Sequence, residues 1–198
     1  MARLAIFIDG GYADALAMKE FGGIKIDYAK FAAEITRIVG AKTPEPLDLF
    51  RAYYYNCLPY QSNPPTPDES FRFANARRFH QALRRLSRFE VREGRLALRG
   101  QNANGEPIFE QKRIDLLLGI DFALLCGKHQ IHHAALVAGD SDLLPAVDAA
   151  KLEGVTVWLF HGPRHSPIDG KPTYHFELWD QVDERFEITT QFLRALER

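Results

Sequence analysis

Cysteine is nearly absent from this chain. Cys57 and Cys126 are its only two, far apart, with no CxxC pair between them. That excludes a disulfide scaffold and the usual zinc patterns and points to a reducing compartment. No apolar run approaches the ~20 residues of a membrane span. The start, Met1-Ala2-Arg3 running straight into an apolar segment, has no signal-peptide shape. A soluble, cytoplasmic protein with no membrane partner is expected. Strong net charge is missing too. The formal charge is -1, so any nucleic-acid binding must come from a local patch. There is no internal repeat and no low-complexity segment.

Hydrophobic residues make up 46% of the 198, enough for a sizeable core in one domain. Leu4 to Ile8 is a continuous apolar run of strand length, suited to a parallel strand buried on both faces. Asp9-Gly10-Gly11 follows as a turn, then a helix over Tyr12–Phe21 stopped by Gly22-Gly23. Asp27 can cap a second helix that ends near Gly40. A strand is expected over Leu47–Tyr55, a Pro-rich loop over 59–67 and a long helix over Asp68–Leu86. Phe89–Leu98 alternates around Glu93-Gly94 and reads as a small hairpin, with another turn signal at Asn102–Gly105. Then come a helix over Ile114–Cys126, a strand over Ala134–Ala138, a helix over Asp142–Leu152 and a strand over Val155–Phe160. A Pro/Gly/His loop over His161–Pro172 and a helical tail from Glu177 close the chain. Alternating strands and helices predict an α/β fold with a parallel central sheet flanked by helices. Ligands in such sheets bind beyond the carboxyl ends of the strands, where strand order reverses.

Two apolar strands end directly in acids. Ile6-Phe7-Ile8 runs into Asp9, and Leu136-Val137-Ala138-Gly139 runs into Asp140-Ser141-Asp142. As neighbours in a parallel sheet they would bring Asp9 and Asp140 roughly 5 Å apart. Two bare carboxylates that close repel, and a divalent cation removes the conflict. Oxygen ligands favour Mg²⁺ or Mn²⁺ over softer metals. Asp115 opens the helix after Lys112-Arg113 and would complete the cluster. Asp121 falls on a different face of that helix, as a site-lining residue. Each acid also has a plainer role. Asp9 can be a turn residue, Asp140 or Ser141 an N-cap, and Asp115 a partner of the helix dipole. Capping alone does not require acids at one edge of two buried strands.

Phe7-Ile8-Asp9-Gly10-Gly11-Tyr12, Lys112-Arg113-Ile114-Asp115-Leu116-Leu117-Leu118-Gly119-Ile120-Asp121 and Leu136-Val137-Ala138-Gly139-Asp140-Ser141-Asp142-Leu143 resemble the NYN domain family in order and spacing. That family belongs to the PIN-like nucleases and includes the bacterial LabA-like proteins. The likeness runs over about residues 3–162, which implies a nuclease domain over residues 1–162, with 163–198 as a loop and helical tail packed on it. The chain departs from the family at Tyr12, often Asn there, at Ala138, often Ser, and at Leu143, often Phe.

The resemblance implies a PIN-like, Rossmann-like three-layer sandwich and a Mg²⁺-dependent ribonuclease. Asp9, Asp115 and Asp140 would be the core catalytic and metal-binding acids and Asp142 the outer one. Gly10, Tyr12, Asp121 and Ser141 would line the site. The product ends would be a 5′-phosphate and a 3′-hydroxyl. The expected partner is RNA, single-stranded or a structured small RNA, and pairing with a second copy of the chain stays open. The alternative is a catalytically silent RNA-binding or regulatory module on the same fold. A phosphatase-like hydrolase is disfavoured, because Asp9 is followed by Gly10-Gly11 rather than by a second aspartate.

A positive approach for RNA has two sources. Nine arginines fall between Arg72 and Arg99, with Arg78 and Arg85 on one stripe, although a solvated helix face explains them about as well. Lys112 and Arg113, beside Asp115, are better placed for a scissile phosphate. His129, His132, His133 and His165 read as loop and surface residues, and His161 as a candidate site neighbour beyond a strand end.

Overall fold

The computed structural model describes residues 1–101, 104 and 107–198, and of Pro107, Gln111 and Lys112 the backbone only. Its centre is a seven-stranded sheet ordered β4-β3-β2-β1-β5-β6-β7. The strands are β1 (Ala2–Asp9), β2 (Leu47–Cys57), β3 (Phe89–Gln101), β4 (Pro107–Lys112), β5 (His133–Val137), β6 (Thr156–His161) and β7 (Glu184–Glu187). All neighbours run parallel except β3 and β4. The chain steps outward from β1 through β2 to β3, then returns to the other side of β1 with β5. Strand order therefore reverses at β1, which puts the expected binding crevice beyond the carboxyl ends of β1 and β5.

Burial on both faces follows from strand periodicity. Leu4, Ile6 and Ile8 point into one core layer with α1 (Gly10–Ala15), α2 (Tyr28–Lys42), α3 (Pro67–Arg84) and α7 (Thr190–Arg194). Ala5 and Phe7 point into the other, with α4 (Ile114–Gly127), α5 (Leu144–Leu152) and α6 (Phe176–Gln181). The result is an α/β three-layer sandwich of the PIN-like type, as the sequence led us to expect. Every residue from Leu4 to Ile8 is 0% exposed. Burying a side chain of this size contributes about 1.5–3 kcal/mol. Truncation of Phe7, which stacks on Tyr53 and tilts against Phe122, should cost about 3–5 kcal/mol.

Several helix starts match the sequence signals. Asp27 caps α2 by accepting from the amides of Ala29 and Lys30. Thr66 and Glu69 form a reciprocal capping box on α3, with Pro67 as its first residue. Other expectations change. The helix expected from Tyr12 begins at Gly10 and runs into a π-helical turn over Leu16–Glu20. The helix expected from Asp142 opens as a 3-10 turn over Ser141–Leu143. Phe89–Leu98 is not a hairpin. It lies within one long strand, because Glu93 and Gly94 pair with Asn56 and Cys57 of β2 and Glu93 is held by His80. The hairpin is instead β3 with β4, from Arg95↔Lys112 to Gln101↔Pro107. The turn signal at Asn102–Gly105 lies outside the described residues except for Asn104. The tail is not wholly helical, since β7 joins the sheet beside β6. Among the described residues, no helix is long and apolar enough to cross a membrane.

Candidate active site

The sheet delivers two acids to one edge. The β1–β5 register ends at Ile8↔Val137, so Asp9 closes β1 while Ala138 and Gly139 carry the chain on to Asp140. Asp115 arrives in the first turn of α4, just after β4. Asp9, Asp115 and Asp140 line one cavity of about 890 Å³, together with Gly11, Tyr12 and Gly139. That is a ligand-sized volume, within the ~300–1,000 Å³ typical of binding clefts.

Asp9 and Asp140 also do the plainer work. One Asp9 oxygen accepts from the amide of Tyr12 at 3.2 Å and caps α1. One Asp140 oxygen accepts from the amide of Asp142 at 3.0 Å and caps the 3-10 turn. Asp9 also accepts from the amide of Gly11. Capping and clustering occur in the same side chains.

The acids feel one another. Burial pushes the Asp9 carboxyl up from 3.8 to about 6, and the charges of Asp115 and Asp140 push in the same direction. Asp115 is raised by burial and by the charges of Asp140 and Asp142. Among the described residues, no three His, Cys, Asp or Glu side chains stand together as a ready metal cage. The donor set suits a different kind of ion. Mg²⁺ keeps several waters and needs only one or two carboxylates, which Asp9, Asp115 and Asp140 can offer.

The remaining predicted residues fall in different places. Tyr12 lines the cavity, and its phenol oxygen accepts from the amide of Gly162 at 3.0 Å. Burial first of all pushes that phenol up to about 12, so it stays a neutral strut between α1 and the following loop. Asp142 and Ser141 sit in the 3-10 turn beside the cavity and do not line it. Gly10 is buried against Tyr54, where a Cβ would meet the ring at 2.5 Å. Asp121 is turned away from the cavity. It accepts from Tyr55 at 3.1 Å and pairs with Arg92 at 2.9 Å, an anchor between α4 and the sheet. Arg113 is exposed, with φ of 76° at the N-cap of α4. The side chain of Lys112 lies outside the described residues. Arg78, bonded to Asn75, and Arg85 are exposed on or just after α3 and do not line the cavity.

The sequence reasoning missed the other half of the cavity. The loop between β6 and α6 contributes Arg164, His165, Lys171, Pro172, Thr173, Tyr174 and His175, and α6 adds its first residue, Phe176. His161 is buried against Tyr174 and does not line it. The available signal was positional: a Pro/Gly/His loop follows a strand in the same parallel sheet, at the edge where ligands bind. The loop is firmly built. His165 bridges to Pro172, the hydroxyl of Ser166 accepts from the amides of Ile168 and Asp169, and that of Thr173 donates to Pro163. Gly139 lets it close on β5. A Cβ there would meet the Tyr12 ring at 2.6 Å and the Thr173 carbonyl oxygen at 2.8 Å.

Comparison with known proteins agrees with this geometry. No curated protein matches the chain. The NYN domain matches residues 3–171, somewhat beyond the span that the three motifs cover. With that match over most of its 198 residues, the chain belongs to the NYN domain family, within the PIN-like nuclease superfamily.

Proposed function

We propose that this chain is a Mg²⁺- or Mn²⁺-dependent ribonuclease that hydrolyses RNA phosphodiester bonds. One observation carries the proposal: acids from three separate elements, Asp9, Asp115 and Asp140, face one cavity where the strand order reverses. In that role these three hold the ion through their carboxylate oxygens, and Asp142 orients water from the rim. A bound divalent ion would supply a water of lowered pKa and neutralise charge on the phosphate. Arg113 meets the phosphate beside Asp115, with Lys112 next to it in sequence. Arg78 and Arg85 extend the positive approach along α3.

A second reading, a silent RNA-binding module on the same fold, has one observation in its favour: no three-ligand cage among the described residues. Labelled single-stranded RNA incubated with Mg²⁺ or Mn²⁺, and then with EDTA, separates the two. Cleavage that stops with EDTA and with Asp140→Asn supports the nuclease. Binding without cleavage supports the silent module. Cleavage that survives both treatments contradicts the metal site.

A further inference from the structure

The acids leave the rest of the cavity lining unexplained. Arg164, His165, Lys171 and His175 belong to it, all exposed. Among the described residues no ion pair crosses the cavity to tie these side chains to Asp9, Asp115 or Asp140. Arg164 and Lys171 are the charged side chains of this part of the lining and can meet a phosphate. The loop that carries them is held by its own hydrogen bonds, and by the His175 amide donating to the Gly139 carbonyl at 2.9 Å. The loop backbone that carries these side chains is thus ordered before any ligand arrives.

Phe176 stands at the end of this stretch. It is 56% exposed although it is a large apolar ring lining a cavity. Its orientation is fixed from behind. Trp179 stacks on it with centroids 5.5 Å apart and planes 21° from parallel, and Arg185 lies 4.5 Å from the Trp179 ring centre. The Arg164 guanidinium lies over the Phe176 ring, 5.9 Å from its centre. An aromatic ring held by its neighbours beside exposed cations is a combination that binds single-stranded nucleic acid, because every unpaired base offers a π-face and every linkage a phosphate. A duplex hides its base faces.

We propose that residues 163–176 form the subsite for single-stranded RNA. Arg164 and Lys171 take backbone phosphates neighbouring the one at the acids, and a nucleobase stacks on Phe176. This rests on the ribonuclease function proposed above and adds the residues that select an unpaired strand.

The test uses full-length Asp140→Asn protein with Mg²⁺, which should bind RNA without cutting it, and a fluorescein-labelled oligouridine followed by anisotropy. Adding Arg164→Ala with Lys171→Ala should weaken binding at least about tenfold and make the salt dependence shallower, by about 0.7 in log–log slope per lost phosphate contact. Adding Phe176→Leu should weaken binding by about fivefold or more with the salt slope unchanged, since stacking rather than charge is lost. Duplex RNA of equal length should not respond to Phe176→Leu. If an alanine variant also lowers the unfolding temperature, Arg164→Lys must restore both the fold and the salt slope. Loop variants that bind like their parent, while the wild-type protein cleaves RNA, would overturn the subsite and leave the nuclease standing. No cleavage by wild type, with loop-dependent binding intact, would overturn the nuclease and keep the subsite.

Discussion

The amide of His175 donates to the carbonyl of Gly139 at 2.9 Å, so the loop bearing Arg164 and Lys171 hangs from the segment that leads to Asp140. One hydrogen bond joins the two halves of the cavity. Tyr12 makes a second joint, accepting from Gly162 at the loop's start while its own amide caps onto Asp9. Acids, loop and helix α1 are therefore tied together by hydrogen bonds, and changes at any of them should register at the others.

Asp9 should set a pH dependence in the metal-free protein. Its folded-state value, about 6, lies above the ordinary 3.8, so the fold favours the protonated form. Stability from this group is full below about 4 and falls as pH rises through about 6. Asn keeps the cap and removes the charge. In EDTA at pH 8, Asp9→Asn should exceed wild type by up to about 3 kcal/mol, at about 1.4 kcal/mol per pH unit. The gap should close near pH 4. Urea unfolding at the two pH values checks this, and an equal gap at both would contradict it.

Gly139→Ala should destabilise by about 1–3 kcal/mol, because the added methyl meets Tyr12 and a backbone oxygen that cannot swing aside. The partner experiment is Gly119→Ala within α4, where the nearest atom is the Ala146 Cβ at 4.0 Å. That change should stabilise by about 0.4–1 kcal/mol. Thermal unfolding of both variants gives the comparison. The same sign for both would mean that the space around Gly139 is misjudged.

Tyr12→Phe removes the acceptor of the Gly162 amide. A cost of about 1–2 kcal/mol follows if that amide is left without a partner. The loop should loosen with it, so RNA affinity should drop more than metal affinity. Equal losses of both would place Tyr12 among the metal-site residues instead.

Asp121→Ala should lower stability, since Arg92 and the Tyr55 hydroxyl lose their shared carboxylate. Metal affinity should stay at the wild-type level. Weakened Mn²⁺ binding in a protein that is still folded would return Asp121 to the site.

Much of this architecture is written locally in the chain. The doubly buried run Leu4–Ile8 and the Asp27 cap identify their elements directly, and the acids that end β1 and follow β5 are visible as strand-terminal residues. What was illegible depended on distant partners. Glu93-Gly94 carries a turn signal, but pairing with Asn56 and Cys57 and the grip of His80 overrule it. Glu184–Glu187 is short and polar, and becomes a strand only because β6 offers an edge. Asp121 looks like one more acid near the site until Arg92, 29 residues away, claims it. Arg164 and Lys171 are not legible as site residues because they sit in an irregular loop with no periodicity, and only the folded chain brings them to the cavity that Asp9 lines.

The central claim is that Asp9, Asp115 and Asp140 share a divalent ion. Calorimetric titration of Mn²⁺ into wild-type protein and into Asp115→Asn and Asp140→Asn variants tests it most directly. We predict saturable binding by wild type and a loss of at least about tenfold in each variant, equivalent to about 1.4 kcal/mol. Unchanged affinity in both variants, or no binding by wild type, would contradict the account.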